Sequence, residues 1–262
     1  MSKLRMSVRN VIVTRPLAQA QEFVAKVNAI SRSCQFFPLL EIHPLEDQSE
    51  IIDVVAHLSH YALVVFVSPN AIDAFFSHVR QWPPQLPIGV VGEGSRLALV
   101  RHGVNSDNTT IICPSDKLKT DSEALAAEID FAALAGKQVL LVRGTTGREF
   151  LADAFRSRGV SVKQLAAYRR SAPEFSISVR TQLDALLQSD NDWVITSSEA
   201  LRTLILWCGQ LSGDNAVAKI QHQHLIVPHV RIAETAQVLG FHSITLTASG
   251  DEQVLVALQS SV

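Results

Sequence analysis

The residues best suited to chemistry sit where short apolar runs give way to polar turns. Arg143-Gly144-Thr145-Thr146-Gly147-Arg148 follows one such run and precedes a segment of helical period. Its glycines let backbone N–H groups approach a ligand, a helix N-terminus favours negative charge, and two arginines add bidentate contacts to carboxylate or phosphate. A tight turn carrying solvated arginines explains the same residues equally well, so the neighbourhood must decide. From Lys137 to Arg180 there are nine basic residues against three acidic ones, Glu149, Asp153 and Glu174. Some, such as Arg156 and Arg158, read as a solvated helix face. The remaining excess points to a multiply anionic ligand.

Ser68-Pro69-Asn70 and Thr196-Ser197-Ser198 read first as helix N-caps, whose hydroxyls accept backbone N–H groups. Open α/β sheets bind ligands beyond the carboxyl ends of their strands, so the same hydroxyls would also face a site. Tyr168, one of only two tyrosines, lies inside the basic stretch. It reads by default as a half-buried strand aromatic. Its phenol hydroxyl is also able to donate a hydrogen bond or a proton to a leaving group.

Other chemistries lack carriers. There is no GxxxxGK[ST] loop, and Gly92-Glu93-Gly94 lacks the third glycine of a dinucleotide fingerprint, which disfavours a nucleotide-using enzyme. No serine sits in GxSxG and no cysteine has a local histidine, so no nucleophile stands out. His222, His224 and His229 form the one histidine cluster, with no carboxylate or thiolate partner and no i, i+4 spacing. They read as surface or loop histidines, and no metal is expected.

The elements that must position these residues alternate in type. Asn10–Thr14, Ala62–Val67, Ile88–Val91, Val139–Val142, Trp193–Thr196 and Leu225–Val227 read as buried strands, and each leads through a short turn into helical periodicity. Pro16 suits the first position of the helix that carries Phe23, Val24, Val27 and Ile30. This rhythm implies mostly parallel sheets covered by helices on both faces. The chain also repeats itself. Val13-Thr14-Arg15 resembles Leu141-Val142-Arg143, 128 positions on, and Val67-Ser68 resembles Thr196-Ser197, 129 positions on. Val91-Gly92, with Arg101–Val104 after it, resembles Val227-Pro228, with Val238–Phe241 after it. Three matches in one order imply a duplicated α/β unit. Phe36–Leu45 and Lys163–Pro173 fall outside the rhythm and suit inter-domain connections.

Bulk composition narrows the classes further. Of 262 residues, 47% are hydrophobic and 18% charged, with a formal net charge of −2, which excludes disorder, and the length suggests two domains or one large one. Twenty-three basic residues against 25 acidic ones leave no global field for nucleic acid. Cys34, Cys113 and Cys208 are distant and odd in number, which fits a reducing compartment. The polar, basic start offers no signal peptide, and the longest apolar stretch, Tyr61–Val67, is far short of the roughly 20 residues of a membrane helix. The expectation is a cytoplasmic, soluble monomer.

Taken in order, the motifs resemble the uroporphyrinogen-III synthase family nearly end to end. The resemblance rests on Val-Thr-Arg-Pro at 13–16, Phe37-Pro38-Leu39-Leu40-Glu41-Ile42, Ser68 with Asn70-Ala71, and Val91-Gly92. It continues with Leu140–Gly144, Gly147-Arg148-Glu149, Gly159-Val160, Tyr168-Arg169-Arg170, Thr196-Ser197 and Leu239-Gly240-Phe241. Pro228-His229 departs from the family, which often has small hydroxyl residues there.

The resemblance implies two doubly wound, flavodoxin-like parallel-sheet domains joined by a two-stranded linker, the first built from both chain ends. On this chain that gives 1–37 with 173–262, then 46–163, with 38–45 and 164–172 as connectors. It implies an enzyme that closes hydroxymethylbilane, a linear tetrapyrrole bearing eight carboxylates, to uroporphyrinogen III. Water is lost and the last ring inverts through a spiro intermediate, with no metal or organic cofactor. Unassisted closure gives the type I isomer, so orientation is the enzyme's main task. Tyr168 is expected to help the hydroxyl leave. Arg143, Arg148, Ser68, Thr196 and Ser197 are expected to line an inter-domain cleft and hold carboxylates, with Arg15, Asn70, Gly92, Gly144, Ser198, Pro228 and His229 completing the substrate-binding set. The competing reading is a non-catalytic module of the same shape that binds a tetrapyrrole or another polyanion.

Overall fold

The computed structural model describes residues 9–116, 120–211 and 215–260. Among these described residues eleven strands run in chain order as β1 (Asn10–Val13), β2 (Cys34–Phe36), β3 (Glu41–Pro44), β4 (Leu63–Phe66), β5 (Ile88–Val90), β6 (Ile111–Ile112), β7 (Gln138–Gly144), β8 (Ser161–Ser171), β9 (Asn191–Val194), β10 (His224–Val227) and β11 (Ser243–Leu246). They form two sheets, in two compact units: Met1–Glu41 with Ser171–Val262, and Ile42–Arg170.

The first unit holds a five-stranded sheet in the order β11-β10-β9-β1-β2, every pair parallel. Alternation along β1 sends Ile12 to one apolar cluster and Val11 and Val13 to another, so both faces of the sheet are covered. The second unit holds a six-stranded sheet in the order β3-β8-β7-β4-β5-β6, parallel from β8 to β6. Here Val64 and Phe66 of β4 face one cluster, and Leu63 and Val65 the other. Both units show the parallel strands covered on both faces that the chain's rhythm predicts, and the doubly wound α/β class that the resemblance implies.

Sheet positions give physical meaning to the internal repeat. With β3 set aside, β6-β5-β4-β7-β8 of the second unit matches β11-β10-β9-β1-β2 of the first, position for position. The three sequence matches pair β1 with β7, β4 with β9, and β5 with β10, and each pair occupies the same place in its own sheet. The N-terminal copy sends β1 and β2 to one sheet and β4–β6 to the other, and the C-terminal copy does the converse. The chain passes between units within β3 and again at the end of β8, and these two strands are hydrogen-bonded neighbours.

One local expectation shifts. Pro16 is the N-cap of the helix Leu17–Ala29 rather than its first residue, with an extended ψ of 146°. The proline ring fixes φ equally well at either place, and Arg15 and Pro16 together carry the chain from strand to helix.

Candidate functional site

In an order of this kind the chain winds outward in both directions from one pair of central strands. The crevice beyond their carboxyl ends is the natural ligand position. The central pair is β4 and β7 in the second unit, and β9 and β1 in the first.

In the second unit the crevice brings together residues far apart in sequence. Ser68, just after β4, is the N-cap of the helix Pro69–Phe76, and its Oγ accepts the Ala71 N–H at 3.1 Å. The same Oγ lies 3.1 Å from the Tyr168 Oη, near the end of β8. Tyr168 is only 4% exposed, more buried than a strand aromatic of default character, because its ring joins the core cluster of Phe66, Val142 and Leu165. Between them passes Gly144, at the end of β7. A Cβ there would lie 3.1 Å from Tyr168 Cζ and 3.4 Å from Oη, so glycine is what lets the ring approach the strand. β7 and β8 slip register between Arg143 and Gly144, which sets Gly144 opposite Tyr168.

The basic turn is arranged otherwise than a phosphate cradle. Arg143 is 8% exposed, and its Nη1 donates to Glu149 Oε1 and Gln164 Oε1, each at 2.5 Å. Gly147 lies over the guanidinium, with a Cβ position 2.8 Å from Nη2. Gln164 and Arg143 hold the exposed Glu149 carboxyl below its usual range. Arg148 pairs with Glu123, and Lys163 with Glu50. Arg156 bonds Asp153 at 3.2 Å, and Arg170 bonds Thr146 Oγ1 at 3.2 Å. Much of the apparent excess of positive charge is thus matched by carboxylates, two of which come from elements outside the basic stretch. Counting along the chain missed Glu50 and Glu123 for that reason.

Gly92 caps the helix Glu93–Arg101 after β5, where a Cβ would lie 2.7 Å from the Thr120 side chain. Together with Glu93, Arg96, Cys113, Ser115 and Thr120 it lines a cavity of about 240 Å³. Asn70 is half-buried in the first turn of its helix.

In the first unit the central pair ends in Thr14-Arg15 and Thr196-Ser197. Thr14, which sequence reasoning passed over although it lies inside the Val-Thr-Arg motif, is 1% exposed and donates to the Val194 carbonyl at 2.7 Å. That bond ties the ends of β1 and β9. Arg15 donates to Asp251 Oδ1 at 2.6 Å and lies over the Phe23 ring at 4.3 Å. Its buried Nε has no hydrogen-bond partner among the described residues. Ser197 caps the helix Ser198–Gly209, accepting from Glu199 and Ala200, while Ser198 Oγ lies 2.9 Å from Thr235 Oγ1. Thr196 is half-buried beside them. After β10, His229 takes the capping role of a hydroxyl residue: its Nδ1 accepts the Arg231 N–H at 3.1 Å. The Ser249 hydroxyl donates to the Pro228 carbonyl at 3.2 Å.

The histidine cluster comes apart in space. His222 is exposed, but His224 is 9% exposed and not a surface or loop residue. At the amino end of β10 its Nδ1 contacts Asp192 Oδ1 at 2.7 Å and its Nε2 contacts Thr245 Oγ1 at 2.8 Å. Arg32 pairs with the other Asp192 oxygen at 2.5 Å. Burial alone raises the Asp192 pKa, but the His224 and Arg32 hydrogen bonds outweigh it and hold the carboxyl below its usual value. This network lies at the strand ends opposite the crevice. Periodicity could not reveal it, since Arg32, Asp192 and His224 are on three separate elements. Among the described residues no group of three His, Cys, Asp or Glu is placed to hold a metal.

Comparison with known proteins adds an independent line. The family model of uroporphyrinogen-III synthase HemD matches residues 21–255. The chain is 28% identical to the uroporphyrinogen-III synthase of Escherichia coli (strain K12) over 258 residues, covering 95% of this chain and all of that one. It is 27% identical to that of Salmonella typhimurium over 257 residues, again 95% of this chain and all of the relative. Among solved structures, a mutant uroporphyrinogen III synthase of Thermus thermophilus aligns with a TM-score of 0.60 at 13% identity, covering 96% of this chain and 97% of that one. The Helicobacter pylori uroporphyrinogen-III synthetase aligns at 0.58 and 15% identity, covering 97% and 99%. At those identities the structures speak for the fold alone.

Proposed function

The chain belongs to the uroporphyrinogen-III synthase family, and from that premise we propose how its own residues divide the reaction. It is a lyase of tetrapyrrole biosynthesis, closing hydroxymethylbilane to uroporphyrinogen III with loss of water and inversion of the last ring. No helix among the described residues is long and apolar enough to cross a membrane.

The step to be assisted is departure of the terminal hydroxyl, which leaves an azafulvene open to attack by pyrrole carbon. Since the unassisted reaction already closes the ring, the enzyme gains most by holding the bilane so that the substituted carbon attacks first. Orientation of this kind is worth on the order of 7–11 kcal/mol at best. Carboxylate contacts are assigned within each unit's own crevice: Ser68, Asn70, Gly92, Arg143, Gly144 and Arg148 in the second unit, and Arg15, Thr196, Ser197, Ser198, Pro228 and His229 in the first. The unpartnered Arg15 Nε supports an anion site in the first unit, because a buried N–H without an acceptor is costly. The two compact units serve as the domains, with the segments around β3 and β8 as connectors.

The observation that carries the residue-level reading is the convergence of Ser68, Gly144 and Tyr168 at the carboxyl ends of β4, β7 and β8. In this reading Tyr168 supplies the proton that lets the hydroxyl leave, a contribution on the order of 10²-fold. The test is the kcat of Tyr168→Phe on freshly generated hydroxymethylbilane. A fall near that size supports the role, and turnover at the wild-type rate removes it.

A further inference from the structure

We propose that Ser68, rather than Tyr168, is the group that touches the leaving hydroxyl, and that the phenol acts through it. The inference rests on the reading of Tyr168 as proton source and assigns its route, and it moves Ser68 from the carboxylate contacts to the leaving hydroxyl.

Hydrogen-bond accounting sets the direction. Tyr168 is buried, and among the described residues Ser68 Oγ is the only hydrogen-bond partner of its hydroxyl. A buried phenol that merely accepted from Ser68 would leave its own O–H without an acceptor, which is unfavourable. Tyr168 therefore donates to Ser68. A serine oxygen accepts two hydrogen bonds and donates one. The Ala71 N–H and the Tyr168 O–H fill the two acceptor places. The Ser68 proton then has no acceptor among the described residues, and Ser68 is the half-buried member of the pair, at the mouth of the β4–β7 crevice. Both bonds received by Oγ polarise its O–H and make it a stronger donor.

The proton transfer balances as follows. The C–O bond of the terminal hydroxymethyl group breaks with its electron pair on oxygen, which takes the Ser68 proton and departs as water. Ser68 Oγ takes the Tyr168 proton, and the pyrrole nitrogen lone pair fills the vacated methylene carbon, giving a cationic azafulvene opposite a phenolate. The proton shed by the macrocycle as it closes returns to the phenolate.

The experiment is a double-mutant cycle with kcat and KM read separately on freshly generated hydroxymethylbilane. Ser68→Ala and Tyr168→Phe should each lower kcat about 10²-fold with KM little changed, and the double variant should be no slower than Ser68→Ala alone. Ser68→Thr, which keeps both cap and hydroxyl, should recover most of the loss. Ser68→Gly, a substitution that N-caps tolerate well, guards against a folding failure in Ser68→Ala, with thermal unfolding read for every variant. Wild-type kcat in Ser68→Ala and Ser68→Gly beside an impaired Tyr168→Phe would overturn the relay and leave the phenol acting directly. Losses that multiply in the double variant, or a change confined to KM, would overturn it too. Wild-type kcat in both single variants would instead remove the underlying reading of Tyr168.

Discussion

Gly144 is the position where a single methyl group should separate folding from catalysis. Its Cβ would stand 3.1 Å from Tyr168 Cζ, 3.3 Å from Cε2 and 3.4 Å from Oη, against the 3.5–4.0 Å at which such atoms rest, so the ring must retreat by a few tenths of an ångström. Tyr168 packs among buried side chains and has little room to do so. Overpacking of this kind destabilises by roughly 1–3 kcal/mol, or about 2–4 °C of Tm per kcal/mol for a chain of this size. The catalytic consequence is larger. The Oη–Oγ separation is already 3.1 Å, the long side of a hydroxyl hydrogen bond, and the same retreat takes it beyond useful range. Gly144→Ala should therefore remain folded, with a Tm lowered by a few degrees, while kcat falls on the order of 10- to 100-fold. Gly209→Ala is the control, since nothing lies within 4 Å of its Cβ position. The assay is the initial rate of type III product formation beside thermal unfolding of each variant. Gly144→Ala with wild-type kcat and wild-type Tm would refute the reasoning, because it would mean that the ring does not need the space.

Three further outcomes follow from particular contacts. Arg143→Ala should raise KM about 10- to 100-fold with a smaller change in kcat, as expected for loss of one charge-assisted carboxylate contact, and steady-state kinetics will show whether the loss falls on KM. His229→Ala should lose about 1 kcal/mol by removing an N-cap, whereas His229→Ser should keep most of the wild-type Tm. Asp192 has a folded pKa below its ordinary value of 3.8. Its contribution is therefore fully present above about pH 4 and is lost as pH falls through the lower folded value. Thermal unfolding between pH 2 and 7 should show that loss in wild type. Asp192→Asn, which leaves Arg32 buried without its partner, should be weaker by about 3–5 kcal/mol at pH 7 and lack the acid-dependent part.

How much of this was legible depends on the range of the contact. Strands such as β1, β4 and β10 were readable because a strand buried on both faces becomes a continuous apolar run. Ser68 and Ser197 were readable as caps because capping is a contact over two or three residues. The internal repeat was legible as a duplicated α/β unit, and the structure adds that matched strands hold equivalent sheet positions. The partners of Arg143, Arg148 and Arg15 were not legible in the same way: Glu149 is near, but Gln164, Glu123 and Asp251 arrive from other elements. Nor was the burial of His224, whose neighbours Asp192 and Thr245 lie on adjacent strands. Tyr168 stood out by its setting, but the contact that directs its proton needed the glycine of one strand, the tyrosine of the next and a cap from a third.

The central claim is that this chain turns hydroxymethylbilane into the inverted isomer. The direct measurement is to generate the bilane in situ, add the purified chain, oxidise the products and separate type I from type III uroporphyrin. Predominantly type III product, at a rate that scales with added protein, is the result expected. Type I alone from demonstrably folded protein, with product binding retained, would contradict it and leave a tetrapyrrole-binding module in its place.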